Sequence, residues 1–187
     1  YPLRRQRSSS AASDVYKRQF HTFPIVAKHT KRHEKLSRAA AIYEKAPFNR
    51  YEGPPSPELL IISCGGVERY IGEALDILGL HDRVGSLKLA TTWPLPTELL
   101  KKYLKTCDRI LFLEEIDPFL EENVKVIAAQ TADEIGVKTF FGKLSGHIPA
   151  TGEMTPGILL DTLSDLFDLD WQDRAYRERI GPLIREM

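Results

Sequence analysis

Residues able to do chemistry fall in four places along the chain. His29 and His33 stand four apart, the spacing that puts two metal ligands on one helix face. They are embedded in Lys28, Lys31, Arg32 and Lys35, whose charge repels a cation, so a solvated basic face is the favoured reading. Gly65-Gly66 follows an apolar run, where α/β folds hold phosphate at a helix N-terminus. The next residues, Val67-Glu68-Arg69-Tyr70, do not complete the dinucleotide fingerprint, and Glu68 at the helix start would repel a phosphate. A tight turn is favoured there, with a phosphate cradle as the alternative. Glu114-Glu115 and Asp117 follow another apolar run, at the carboxyl edge where α/β sheets place their sites. Such carboxylates could hold magnesium or act as acid and base. They could also accept backbone N–H groups at the start of the next helix, and this structural reading is favoured. Lys143, Ser145 and His147 share one loop and could serve an anion. Ser63, Ser145 and His147 do not suggest a hydrolase, because no Gly-x-Ser-x-Gly elbow is present. Gly65, Gly66 and Lys143 are therefore the candidates for cofactor or anion binding; no residue is assigned a catalytic or metal-binding role.

The elements that must position these residues follow from hydrophobic period. Leu36, Ala39, Ala40 and Tyr43 form the apolar stripe of a helix expected over Val26 to Lys45, stopped by Pro47. Asn49 to Glu52 is a short extended piece before Gly53-Pro54-Pro55-Ser56-Pro57, a turn or linker. Leu59-Leu60-Ile61-Ile62-Ser63 reads as a strand buried on both faces, and Val67 to Leu78 as the helix after it. Strands are expected again at Val84 to Ala90, Arg109 to Leu113 and Val137 to Phe141. Helices alternate with them at Pro96 to Thr106 and from Asp117-Pro118 to Gly136, the latter burying Phe119, Leu120, Val124, Ile127 and Ala128. This alternation implies a mostly parallel sheet covered on both faces. The loop from Gly142 to Pro156 is long for a bare connection, so it binds something or packs on another domain. Thr155-Pro156 opens a final helix with Ile158, Leu159, Leu163, Leu166 and Phe167 on its apolar side.

Composition excludes several classes. The 26 basic residues equal the 26 acidic ones, which leaves no global field to recruit nucleic acid or an anionic membrane. No apolar run approaches the roughly 20 residues needed to span a bilayer. The two cysteines, Cys64 and Cys107, are too few for a disulfide framework and fit reduced thiols in a cytoplasmic protein. The stretch Ser9 to Gln19 resembles an in-frame translation of a transposase-type sequencing-library adapter, as expected of a reading frame from assembled environmental DNA. Residues 1–19 are expected to be artefactual and disordered. Residues 20–58 form a helical lead-in, edge strand and linker, 59–168 the α/β domain, and 169–187 a charged helical tail.

Six blocks, in order, resemble one family. They are Lys31-Arg32-His33-Glu34-Lys35-Leu36, Ile62-Ser63-Cys64-Gly65-Gly66-Val67, Trp93-Pro94-Leu95-Pro96, Leu113 to Phe119, Gly142 to Pro149, and Gly152 to Pro156. Together they are similar to the large (alpha) subunit of indolepyruvate:ferredoxin oxidoreductases, in the region between its two thiamine-binding domains. The resemblance implies a transketolase-C-terminal-like domain: a three-layer α/β/α sandwich around a mostly parallel five-stranded sheet with an antiparallel edge strand. It implies a parent enzyme that oxidatively decarboxylates aryl pyruvates with coenzyme A, giving acyl-CoA, carbon dioxide and reduced ferredoxin. Thiamine diphosphate, magnesium and iron–sulfur clusters would be its cofactors; the small (beta) subunit, ferredoxin and the neighbouring thiamine-binding domains its partners. The sequence departs from the full pattern, with no Gly-Asp-Gly segment followed by asparagine, no Cys-x-x-Cys, and too few cysteines for a four-iron cluster. The resemblance therefore implies a fragment that is scaffold and interface, noncatalytic by itself. The rivals are a free-standing α/β module for a nucleotide or CoA-like anion, and the equivalent domain of another 2-oxoacid ferredoxin oxidoreductase.

Overall fold

The computed structural model describes residues 22–169 and 171; residues 1–19, and the tail apart from Leu169 and Trp171, lie outside the described residues. Five strands form one sheet: β1 (Arg50–Glu52), β2 (Leu59–Ser63), β3 (Val84–Lys88), β4 (Arg109–Leu113) and β5 (Thr139–Phe141). Their order is β1-β3-β2-β4-β5. The pairs β2–β3, β2–β4 and β4–β5 are parallel, and only β1 runs antiparallel, against β3. The α/β/α sandwich implied by the resemblance is what the chain forms.

Among the described residues six α-helices accompany the sheet: α1 (Thr22–Tyr43), α2 (Glu68–Leu78), α3 (Thr97–Leu104), α4 (Phe119–Gln130), α5 (Ala132–Ile135) and α6 (Pro156–Phe167). Side chains alternate across a strand, so the unbroken apolar run of β2 must be covered on both sides. Leu59 and Ile61, with Leu111 and Leu113 of β4, pack under Ile71, Ala74 and Leu75 of α2 and Leu159 and Leu163 of α6. Leu60 and Ile62, with Ile110 and Phe112, meet Leu100 and Leu104 of α3 and Leu120 and Val124 of α4. Leu59 through Ile62 are fully buried, a contribution of roughly 1.5–3 kcal/mol per side chain before conformational entropy.

The edge strand has its own seat. Gly85 in β3 leaves room for the Tyr51 ring, because a Cβ there would lie 2.8 Å from a ring carbon. Tyr51 stacks on Tyr103 at 4.5 Å, and its hydroxyl donates to the Pro54 carbonyl. Buried Asn49 donates to the Tyr43 carbonyl (3.0 Å) and to Thr91 Oγ1 (2.8 Å), while its Oδ1 accepts from Ala90 N (2.9 Å).

Three expectations are corrected. Phe119 is exposed rather than buried, because it opens α4 and turns its ring towards Trp93, 6.1 Å away. The helix from Asp117 to Gly136 is two helices, broken at Thr131, whose φ of −120° leaves the helical region. Val137 lies outside β5 and is 87% exposed, since Gly136 at φ +78° redirects the chain before pairing starts at Thr139. The first helix starts at Thr22, four residues before the expected Val26, the remaining boundaries shift by a residue or two, and β3 ends at Lys88.

Candidate functional site

The chain leaves β2 for β3 on one side and β4 for β5 on the other, so the connections diverge between the adjacent strands β2 and β4. Such a switch point opens a crevice at the carboxyl ends of the strands, where open α/β sheets bind ligands. The two loops that meet there are Cys64-Gly65-Gly66 and Glu114-Glu115-Ile116-Asp117-Pro118.

The first loop is a tight turn. Gly65 adopts φ +80°, and Gly65–Val67 make one 3-10 turn into α2. The Glu115 carboxylate lies over it, with Oε1 only 3.2 Å from where a Cβ on Gly66 would stand. Glu68 at the start of α2 is paired with Arg50 of β1 (2.6 Å) and with Lys88 of β3. Burial, with Glu114 and Glu115 nearby, pushes the Cys64 thiol up to about 11, so it is no thiolate at neutral pH.

The second loop is held from inside. Buried Glu114 accepts from the backbone N–H of Leu120 (2.6 Å) and of Glu121 (2.9 Å), capping α4. Desolvation raises its pKa from the ordinary glutamate value, against the lowering effect of those two hydrogen bonds. Lys143, also buried, donates from Nζ to the Ile116 carbonyl at 2.5 Å. Ile116 itself has φ +44°, a strained conformation for a β-branched residue, and is 78% exposed. Fully buried Glu121 takes Lys125 Nζ at 2.6 Å and the Leu144 N–H at 3.2 Å, tying α4 to the loop after β5.

That loop completes a cavity of about 600 Å³, lined by Tyr70, by Glu115, Ile116 and Asp117, and by the run Ala150 to Met154. Sequence reasoning singled out Glu115 and Asp117 but not Tyr70, Ile116 or Glu153 as its walls. Only Gly152, at φ +93°, marks the second wall as a turn. Gly65, Gly66 and Lys143 do not line the cavity: the glycines lie under Glu115, and Lys143 is bound to the loop backbone. Ser145 and His147 shape their own loop, with Ser145 Oγ accepting from Gly142 N (2.9 Å) and contacting His147 Nδ1 (2.9 Å). His29 and His33 sit on exposed α1, their Nε2 atoms 2.9 Å apart. Among the described residues no group of three His, Cys, Asp or Glu side chains could hold a metal ion.

No protein-family model matches the chain. Individual proteins do. The indolepyruvate oxidoreductase subunit IorA of Methanothermobacter thermautotrophicus is 32% identical over 139 residues, 74% of this chain and 22% of that subunit. IorA of Pyrococcus abyssi is 34% identical over 128 residues, 68% of this chain and 19% of its own length. The chain is homologous to a segment of IorA. It spans only about a fifth of these IorA subunits, with the Thermococcus kodakarensis protein (31% identity) matching 83% of this chain and 22% of itself. Among solved structures, a 2-oxoglutarate:ferredoxin oxidoreductase from Magnetococcus marinus superposes with a TM-score of 0.51 over 79% of this chain and 24% of that one. At 18% identity, that likeness shows the fold alone, shared between this chain and about a quarter of that oxidoreductase chain.

Proposed function

We propose that this chain is the central domain of a thiamine diphosphate-dependent indolepyruvate:ferredoxin oxidoreductase, and that its own contribution is scaffold and interface. The observation that carries the reading is the IorA homology, which covers most of the chain and about a fifth of the subunit. The parent reaction would be oxidative decarboxylation of an aryl pyruvate with coenzyme A, passing electrons to ferredoxin in a cytoplasmic complex with a small subunit. When bound, thiamine diphosphate supplies the carbanion chemistry and iron–sulfur clusters carry the electrons.

The residues of this chain do not fit those groups. A diphosphate at the Gly65-Gly66 turn would meet the Glu115 carboxylate. Cys107 is buried with its Sγ on the Arg109 carbonyl (3.2 Å), and Cys64 is held protonated, so neither is a ready cluster ligand. What the chain supplies is a rigid carboxyl edge: Glu114 caps α4, Lys143 fixes the Ile116 loop, and Glu121 binds the following loop.

A chimaera tests the reading. The matching segment of the Methanothermobacter thermautotrophicus subunit is replaced by residues 50–167 of this chain, and the product is produced with its small subunit. Indolepyruvate- and CoA-dependent viologen reduction near the parental rate is expected. An assembled but inactive chimaera overturns the reading, and turnover by this chain alone overturns the scaffold role. The rival anion module is tested by calorimetry with coenzyme A and adenine nucleotides: binding that disappears in Lys143→Ala would favour it over the scaffold.

A further inference from the structure

The cavity at the switch point carries negative charge that no ion pair among the described residues balances. Glu115, Asp117 and Glu153 contribute to its walls, and all three are exposed. None of them belongs to an ion pair among the described residues. Lys143 Nζ is spent on the Ile116 carbonyl at 2.5 Å, and the Arg69 guanidinium, which like Glu115 Oε1 approaches the Gly66 turn, forms no ion pair with Glu115. The three carboxylates also do not converge on a point, since no described group could hold a metal. A spherical ion needs convergent oxygens, whereas a cation on an apolar stem can lie along a cleft whose carboxylates are spread out.

Apolar side chains lie beside this charge. Ile116 stands 78% exposed at the lip, in a left-handed conformation that costs strain and that the Lys143 hydrogen bond holds in place. Phe119, three residues on, packs edge-to-face against Trp93 from the loop after β3, and both remain exposed, at 42% and 60%. Met154 and Tyr70 continue the apolar lining inward. An anionic cleft with exposed Ile116 at its lip, and with the exposed Phe119–Trp93 pair beginning two residues beyond Asp117, is complementary to a cationic side chain with apolar neighbours.

We propose that this carboxyl-edge rim is a protein-docking socket, recognising a segment that presents a lysine or arginine between apolar residues. The cation enters the cleft among Glu115, Asp117 and Glu153, and its neighbours cover Ile116 and the Trp93–Phe119 pair. The inference rests on the scaffold reading and names what one interface of that scaffold accepts. It also gives the strained Ile116 a purpose: the loop displays an apolar knob that contributes nothing to the core of this chain.

A displayed library of random dodecapeptides is selected on the full chain, and one selected peptide is synthesised and titrated against Trp93 emission, with Trp171→Phe as background. Enrichment of Lys or Arg beside aliphatic or aromatic residues is expected. Affinity should weaken at least about tenfold in the Glu115→Gln/Asp117→Asn/Glu153→Gln variant, and should fall as salt rises. Removing like charges should leave the thermal midpoint of that variant unchanged or higher, which separates lost binding from lost folding. Selection of acidic or uncharged peptides, no enrichment, or affinity unchanged in the triple variant overturns the socket. Magnesium alone saturating the Trp93 signal in wild type and not in the triple variant would also overturn it, by assigning the cleft to an ion. An active chimaera combined with failed peptide selection removes the socket and leaves the scaffold reading intact.

Discussion

Removing the Glu114 carboxylate should destabilise the chain more than its small size suggests. It accepts from two backbone donors, Leu120 N at 2.6 Å and Glu121 N at 2.9 Å, at the start of the helix that buries Leu120, Val124 and Ala128. Glu114→Ala strips both acceptors and leaves a hole at a position only 3% exposed. An unsatisfied buried donor costs about 1–3 kcal/mol and a lost N-cap typically about 1 kcal/mol, so a loss of roughly 2–4 kcal/mol is expected. For a chain of this size that lowers the melting midpoint by roughly 2–4 °C per kcal/mol. Glu114→Gln keeps one acceptor oxygen and sheds a buried charge, so its loss should be smaller, about 1 kcal/mol or less. The pH dependence has a definite sign. Desolvation raises the Glu114 pKa on folding, so its proton-linked stabilisation is complete below the unfolded value and disappears as pH rises through the folded value. Wild type should therefore gain on Glu114→Gln as the pH falls through the raised value, the effects of other groups cancelling in the difference. Urea unfolding of the three proteins across pH 4–8 provides the measurement. An alanine variant within about 0.5 kcal/mol of wild type, or a Gln difference moving the opposite way with pH, refutes the reasoning.

Three further outcomes follow from named contacts. Asn49→Ala removes bonds to Tyr43, Ala90 and Thr91 at a buried position and should cost about 2–4 kcal/mol in urea unfolding, with faster hydrogen exchange at Ala90 and Thr91. Ile116→Gly relieves φ +44° at little loss of packing and should stabilise the chain by about 0.5–1 kcal/mol, read as a higher melting midpoint; a fall would show the conformation is unstrained. Cys64, with its thiol at about 11, and buried Cys107, also raised by burial, should react slowly with a disulfide reagent at pH 8 and fast in urea; rapid labelling of native protein contradicts the site geometry.

The sheet was legible wherever one physical signal dominated. Leu59 to Ile62 can only be a doubly covered strand, and it is. The antiparallel edge was different: Arg50-Tyr51-Glu52 has one partly buried residue between two exposed ones, and only family resemblance placed it. Its seat depends on Gly85, which faces Tyr51, and on Asn49, whose bonds to Ala90 and Thr91 span about forty residues, and such distant contacts leave no local signature. Phe119 misled because helical period treats every apolar residue as core, while a helix's first turn can face a neighbouring loop. The Glu114 cap was one of two readings open from sequence, and the backbone of Leu120 and Glu121 decides between them. The cavity stayed hidden because it is built from residues 115–117 and 150–154 together, and because nothing in an isoleucine announces a positive φ.

The outermost strands are three residues long, while the three inner ones have five. Each flank therefore offers little unpaired backbone, and one flank ends in the ion pair of Arg50 with Glu52. Short margins, one of them charged, discourage a neighbouring chain from adding a strand. Growth of the sheet by a further strand is disfavoured at both margins, which leaves the loops and helices, with side chains rather than main chain setting the fit, as the favoured surfaces for contact.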